Sequence, residues 1–250
     1  MESHVVFTKF LFIILIFLFV GCDDMSVSTG DGSNKVKGNG KVTTEVREIG
    51  SFDEIILEGV FNVYLLQKEK ESVRVETDEN LLPFIVTEVE NNVLTIKMKD
   101  NSEIEKMKKI NIYITLVDIN NLETKGVGLI NCMGQLKLKN IDLSLKGVGA
   151  THLNLICDTL NVKSELVGSL HLIGEGESLK IKHSGIGSFE AFEFKAEGVN
   201  IESDGIGKVE VNASKELVVD AKGLGGVKYK GNPALKDIKN EGVGVVVSAE

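Results

Sequence analysis

Asn131, His152, His171, Glu190, Glu210 and Lys228 recur at intervals of about 20 residues, the spacing of a solenoid coil. If the chain winds once per interval, these side chains form one file with neighbours about 4.8 Å apart on adjacent strands. Two imidazoles at that separation could share a zinc ion, with the Glu190 carboxylate as a third ligand. The plainer reading is a solvated polar face on which histidine falls twice, and it is preferred because no group that would orient the imidazoles is visible. Asn131, His152, His171, Glu190 and Glu210 are also the candidates for contacting a ligand without a metal.

Other chemistry has less support. The chain holds 37 acidic residues, so carboxylates fall on any face, and no Asp cluster or calcium-binding G-G-x-G-x-D-x repeat accompanies them. A carbohydrate-active enzyme is therefore the least favoured class; no catalytic residue is assigned and no cofactor is expected. The formal net charge is -9, and the densest basic cluster, Lys106, Lys108 and Lys109, is interleaved with Glu103 and Glu105. That pattern suits a solvated strand edge and excludes a nucleic-acid footprint.

The elements that would position the polar file come from a repeat. Gly126-Val127-Gly128, Gly147-Val148-Gly149, Leu166-Val167-Gly168, Gly185-Ile186-Gly187, Gly205-Ile206-Gly207, Gly223-Leu224-Gly225 and Gly242-Val243-Gly244 start 18 to 21 residues apart. Four residues before each copy stand Leu122, Leu143, Val162, Ile181, Ile201, Val219 and Ile238, all aliphatic, as an inward column demands. The middle position is equally uniform. After the motif, Ile130 and Cys132, Leu170 and Leu172, Phe189 and Ala191, Val209 and Val211, and Val227 and Tyr229 alternate with polar residues, the signature of a strand with one buried face. The glycines lie between strands, which fits tight corners and excludes the strand–turn–helix setting of a phosphate loop.

The residue before each copy forms an outward file: Lys125, Lys146, Glu165, Ser184, Asp204, Lys222, Glu241. Stacking would set Lys146 beside Glu165, and Lys222 beside both Asp204 and Glu241. Such exposed pairs contribute roughly 0 to 1 kcal/mol each and serve registration and solubility more than stability. The half of the chain after Lys41 is less regular but strand-rich, and Gly59-Val60-Phe61, preceded by Ile55 and followed by Val63 and Leu65, is a divergent copy. The two halves are expected to form one continuous solenoid. Cys132 and Cys157 fall out of phase with each other, so two free, buried thiols are expected.

Before the repeat, Phe10 to Val20 is an uninterrupted apolar run, long enough for a signal-peptide core and short for a membrane span. Its end, Leu18-Phe19-Val20-Gly21-Cys22, resembles the lipobox of bacterial lipoproteins. That resemblance implies cleavage before Cys22, acylation of its thiol and amine, and attachment to a membrane without crossing it. Asp23 and Asp24 are similar to the acidic signal that sends some lipoproteins of the Bacteroides group to the outer face of the outer membrane. Residues 1–21 are thus read as signal peptide, 22–40 as lipidated cysteine and flexible tether, and 41–250 as the folded domain.

Gly40-Lys41-Val42, Phe52-Asp53-Glu54-Ile55, Gly59-Val60-Phe61-Asn62-Val63, Asp78-Glu79-Asn80-Leu81-Leu82, Leu94-Thr95-Ile96, the glycine series and Gly231-Asn232-Pro233 resemble the auto-transporter adhesin "head GIN" domain family of bacterial lipoproteins. The resemblance implies an all-β, single-stranded right-handed β-helix. It carries no catalytic residues. Phe61 and Leu166 depart from the glycine pattern, which puts corner geometry in question there. The expected function is a lipid-anchored envelope or surface binding module whose partner, besides the membrane, is a glycan or an envelope protein. The alternative is a structural or regulatory protein that docks a neighbour.

Overall fold

The computed structural model describes residues 34–100, 102–106 and 109–249. The apolar run, Cys22, Asp23, Asp24 and Lys108 lie outside the described residues. Strand makes up 76% of the described residues and helix 3%, with about six solenoid turns in the C-terminal part, so the all-β solenoid expectation holds.

In chain order the strands are β1 (Asn34–Lys37), β2 (Val42–Arg47), β3 (Glu54–Gln67), β4 (Ser72–Asp78), β5 (Ile85–Glu90), β6 (Val93–Met98), β7 (Ser102–Lys106) and β8 (Asn111–Leu116). They continue as β9 (Asn121–Cys132), β10 (Leu136–Lys137), β11 (Asn140–His183), β12 (Ile186–Ser203), β13 (Ile206–Ala221), β14 (Leu224–Lys230), β15 (Leu235–Asn240) and β16 (Val246–Ser248). From β9 onward the coils stack in parallel and in chain order. Leu143 lies beside Leu122, Ile201 beside Ile181 and Val219 beside Ile201, so aliphatic side chains pile into one buried column. Residues after the motif complete the core, with Phe189 and Phe194 wholly buried.

Glycine is required at the corners for two reasons. At Gly207 φ is +134°, a conformation that L side chains rarely adopt, and a Cβ there would overlap the carbonyl oxygen of Gly187 one coil away. Leu166, the departure from the pattern, is buried and its side chain lines a cavity of about 40 Å³ beside Phe61, Ile130 and Thr151. It fills space inside the corner that glycines leave open.

The middle residue of the motif does not join the core. Val60, Val127, Val148, Val167, Ile186, Ile206, Leu224 and Val243 are all exposed and form a ridge along the stack. Register places Val60 beside Val127, Val127 beside Val148, Val167 beside Ile186, Ile186 beside Ile206, and Ile206 beside Leu224.

Three expectations need correction. First, the solenoid is continuous in space but not in chain order. Strand β3 lies between β9 on one side and β6 with β8 on the other: Ile55 pairs with both Leu122 and Leu94, and Val63 with both Ile130 and Ile112. The coil formed by β6 and β8 has no glycine corner because its chain leaves the stack between Met98 and Ile110. Phe61 occupies the room this frees, its ring lying where a Cβ on Gly59 would project. Beyond this coil the parallel stack gives way to antiparallel pairs, β5 with β6, β4 with β8 and β2 with β4, which close that end.

Second, Ile238 is exposed although it is in register with buried Val219, because no coil among the described residues covers β15. Lys236 and Asn240 stand there in register with Leu217 and Ala221, and the Asn240 amide donates to the Gly244 carbonyl at 3.0 Å. These polar substitutions suit a terminal coil that meets water. Third, Lys146 does reach Glu165, at 3.8 Å, but Lys222 turns to Asp220, two residues before it, at 2.7 Å. The stretch read as tether also contributes β1, which pairs in parallel with β7.

Candidate functional site

The strand leg that follows each corner points one file of side chains outward. Asn131 is in register with His152, His171 with Glu190, Glu190 with Glu210, and Glu210 with Lys228, as the sequence spacing required. The rings of His152 and His171 meet edge to face with centroids 5.9 Å apart. His152 Nδ1 lies 3.1 Å from Asn131 Oδ1, so a proton on Nδ1 donates to that oxygen.

The file extends further than its sequence phase reveals. Tyr64 is in register with Asn131, Tyr113 with Tyr64, and Arg74 with Tyr113. The two phenol rings stack at 4.9 Å with 17° between their planes, and the Arg74 guanidinium lies 3.9 Å above the Tyr113 ring centre. Burial, helped by Glu76, pushes the Tyr113 phenol up, and Arg74 opposes it. Beside them, Asn62 donates to Asn111 at 3.1 Å and Asn111 to Glu76 at 2.8 Å. Tyr64 sits at the same offset from Gly59 as Asn131 does from Gly126, so it was within reach of the repeat. Tyr113 and Arg74 were not, because their strands carry no glycine motif.

The metal geometry does not assemble. Glu190 accepts from Lys208 at 3.2 Å, and this bond, with a second from Ser188, holds its carboxyl below the usual carboxylate range. Lys208 also reaches Glu210 at 3.3 Å, while His171 Nε2 leans toward Glu193 at 3.5 Å. Among the described residues no three His, Cys, Asp or Glu side chains are placed to hold a metal. What the face offers is hydrogen-bonding capacity.

These features agree with what the chain resembles. Residues 51–233 match the family model described as "Putative auto-transporter adhesin, head GIN domain". The chain belongs to this family. A crystal structure of a "putative adhesin" from Bacteroides fragilis is 29% identical, with a TM-score of 0.81 over 85% of this chain and 99% of that one. A "putative lipid binding protein" from Parabacteroides distasonis is 24% identical, with a TM-score of 0.67 over 86% and 100%. A "putative adhesin" from Parabacteroides merdae is 22% identical, with a TM-score of 0.59 over 86% and 99%. The last two likenesses are of fold. No curated protein matches the chain.

Two further groups of this head GIN domain are chemically distinctive. His183 points inward and is 3% exposed; among the described residues neither ring nitrogen has a hydrogen-bond partner, and burial lowers its pKa against the opposing pull of Asp204. Its inward phase, two residues before Gly185, is legible in the repeat. Cys132 and Cys157 are free, as expected, and burial pushes both thiols up to about 11. Cys157 is buried, whereas Cys132 is partly exposed.

Proposed function

We propose that this head GIN domain is an adhesin-like binding module of the cell envelope, anchored by acyl chains on Cys22 and engaging a glycan through the outward file from Arg74 to Lys228. The observation that carries the reading is the continuity of that file across coils from both halves of the chain. Guanidinium, phenol, amide, imidazole and carboxylate groups are held at strand spacing on a scaffold whose backbone hydrogen bonds are already made. Such groups pair with hydroxyls. The acidic pair Asp23 and Asp24 supports display on the outer face of the outer membrane.

A glycan array probed with the chain from Cys22 onward tests the ligand class. Binding to a defined glycan that falls at least tenfold in a His152→Ala, His171→Ala double variant, at unchanged melting temperature, supports the reading. Recovery of one stoichiometric envelope protein with no glycan signal overturns it in favour of protein docking. Metabolic labelling with palmitate tests the anchor: the label is expected in the native chain and absent after Cys22→Ala.

A further inference from the structure

The outward file is not uniform along its length. Arg74, Tyr113, Tyr64 and Asn131 form one end, each carrying hydrogen-bond donors, whereas Glu190 and Glu210 lie toward the other with Lys208 shared between them. The cation at the donor end is unusual for this chain, which contains only two arginines. Arg47 is committed, reaching Glu45 at 2.9 Å and donating to the Leu82 carbonyl at 2.9 Å. Arg74 is exposed, and among the described residues no carboxylate pairs with its guanidinium, which lies 3.9 Å above the Tyr113 ring centre.

The neighbours explain why it stays unpaired. Register sets Val46 and Tyr113 on the strands flanking Arg74, with Ser72 and Glu76 two residues away along β4, so Glu76 is the one acid among them. Its carboxylate is engaged elsewhere, because Asn62 donates to Asn111 and Asn111 donates to Glu76. Strands β3 and β4 flank β8 on opposite sides, so Tyr64 covers one face of the Tyr113 ring and Arg74 the other. A guanidinium stacked on a ring keeps the N–H groups in its own plane free, and that planar fork matches a carboxylate. The formal net charge is -9, so the molecule as a whole repels anions and any attraction for one is local.

We propose that Arg74, stacked on Tyr113, is the carboxylate subsite of the file and that the glycan is acidic. Its uronate or sialate carboxylate lies at Arg74, and its hydroxyls lie over Tyr64, Asn131 and the two histidines. This inference rests on the glycan reading of the file and names the ligand class. The reverse orientation is unfavourable: Lys228 is in register with Glu210, while Glu190 and Glu193 stand beside His171, so a carboxylate there meets groups of its own sign. From Arg74 to His171 the file covers five strand steps, about 24 Å, which gives a short oligosaccharide room to lie along it.

An array of oligosaccharides bearing uronate or sialate, each printed beside its carboxyl-reduced counterpart and probed with the chain from Cys22 onward, tests the subsite. The native chain is expected to prefer at least one acid over its reduced form by tenfold or more. Arg74→Gln should abolish that preference while leaving binding to the reduced form within about twofold, and Arg74→Lys should restore little of it, because an ammonium has no planar fork. The His152→Ala, His171→Ala double variant should instead weaken both forms alike and keep the preference. Unchanged melting temperatures verify the fold of each variant. Glycan binding without acid preference, or a preference that survives Arg74→Gln or is complete in Arg74→Lys, overturns the subsite and leaves the glycan reading standing. Failure to bind any glycan, acidic or neutral, overturns both.

Discussion

Lys125 donates to the Glu58 carboxylate at 3.3 Å although 67 residues of sequence separate them. The contact marks the seam at which the first coil of the chain, β3, slots beneath β9. Strand β3 is consequently bordered along both edges, whereas among the described residues β15 has a partner on one edge alone, and every residue in it is exposed.

Hydrogen exchange should report this asymmetry. Amides of Ile55 to Leu57 and Val63 to Leu65 are expected to exchange only through global opening, while those of Leu235 to Asn240 exchange orders of magnitude faster. Mass spectrometry of peptic fragments across a time course distinguishes the two; uniform protection would contradict the described stacking.

Gly207→Ala tests the corner. The substitution meets both an unfavourable φ and the Gly187 carbonyl, so a loss of roughly 3 kcal/mol is expected. Denaturant unfolding measures it. Ala at Gly134, where φ is also positive but no atom lies within 4 Å of the added carbon, should cost only the backbone strain, about 1 kcal/mol.

His183 makes stability depend on acidity. Its folded pKa lies below the ordinary value near 6.5, so as pH falls the unfolded chain takes up a proton first. The contribution is whole above about 6.5, is lost as pH falls through that value, and levels off once the pH passes the depressed folded pKa. Urea midpoints at intervals between pH 8 and pH 4 should therefore drop more in the native chain than in His183→Leu, a side chain that matches Leu145 in the same inward phase. Parallel curves for the two would show that the imidazole is not buried neutral.

The thiols give a chemical check. Alkylation of the unfolded chain without reductant should modify both Cys132 and Cys157. In the folded chain at pH 8 reaction should be slow at both, because thiols with pKa values of about 11 are scarcely ionised there. Cys132, being partly exposed, should react before Cys157.

Much of this architecture was legible because a solenoid writes its geometry at a fixed period. Leu122 to Val219 fall in one buried column because each coil repeats the phase of the last, and Asn131, His152 and His171 line up for the same reason. The features that escaped are those where the period is interrupted. The coil of β6 and β8 carries no glycine motif, so nothing in its sequence indicates that it stacks beneath β3 or that Tyr113 continues the file of Tyr64. Ile238 keeps the inward pattern but lacks a covering coil, a fact about its neighbours that its own residue type does not encode. Lys222 had carboxylates within reach along the stack and at Asp220, two residues before it, and a flexible side chain settles on the nearer one. The outward turn of the motif centre was missed because aliphatic uniformity reads equally well as core.

The placement of β3 also has a bearing on how the polypeptide acquires its shape. Emerging amino end first, the chain presents this strand before either flanking coil has been made, and its apolar side chains have no template on which to settle. Closure must wait until residues as far along as Cys132 are available, which makes the process non-local and slow. A nascent chain delayed in this way leaves one edge of β3 without its β9 partner for as long as the later coils are missing.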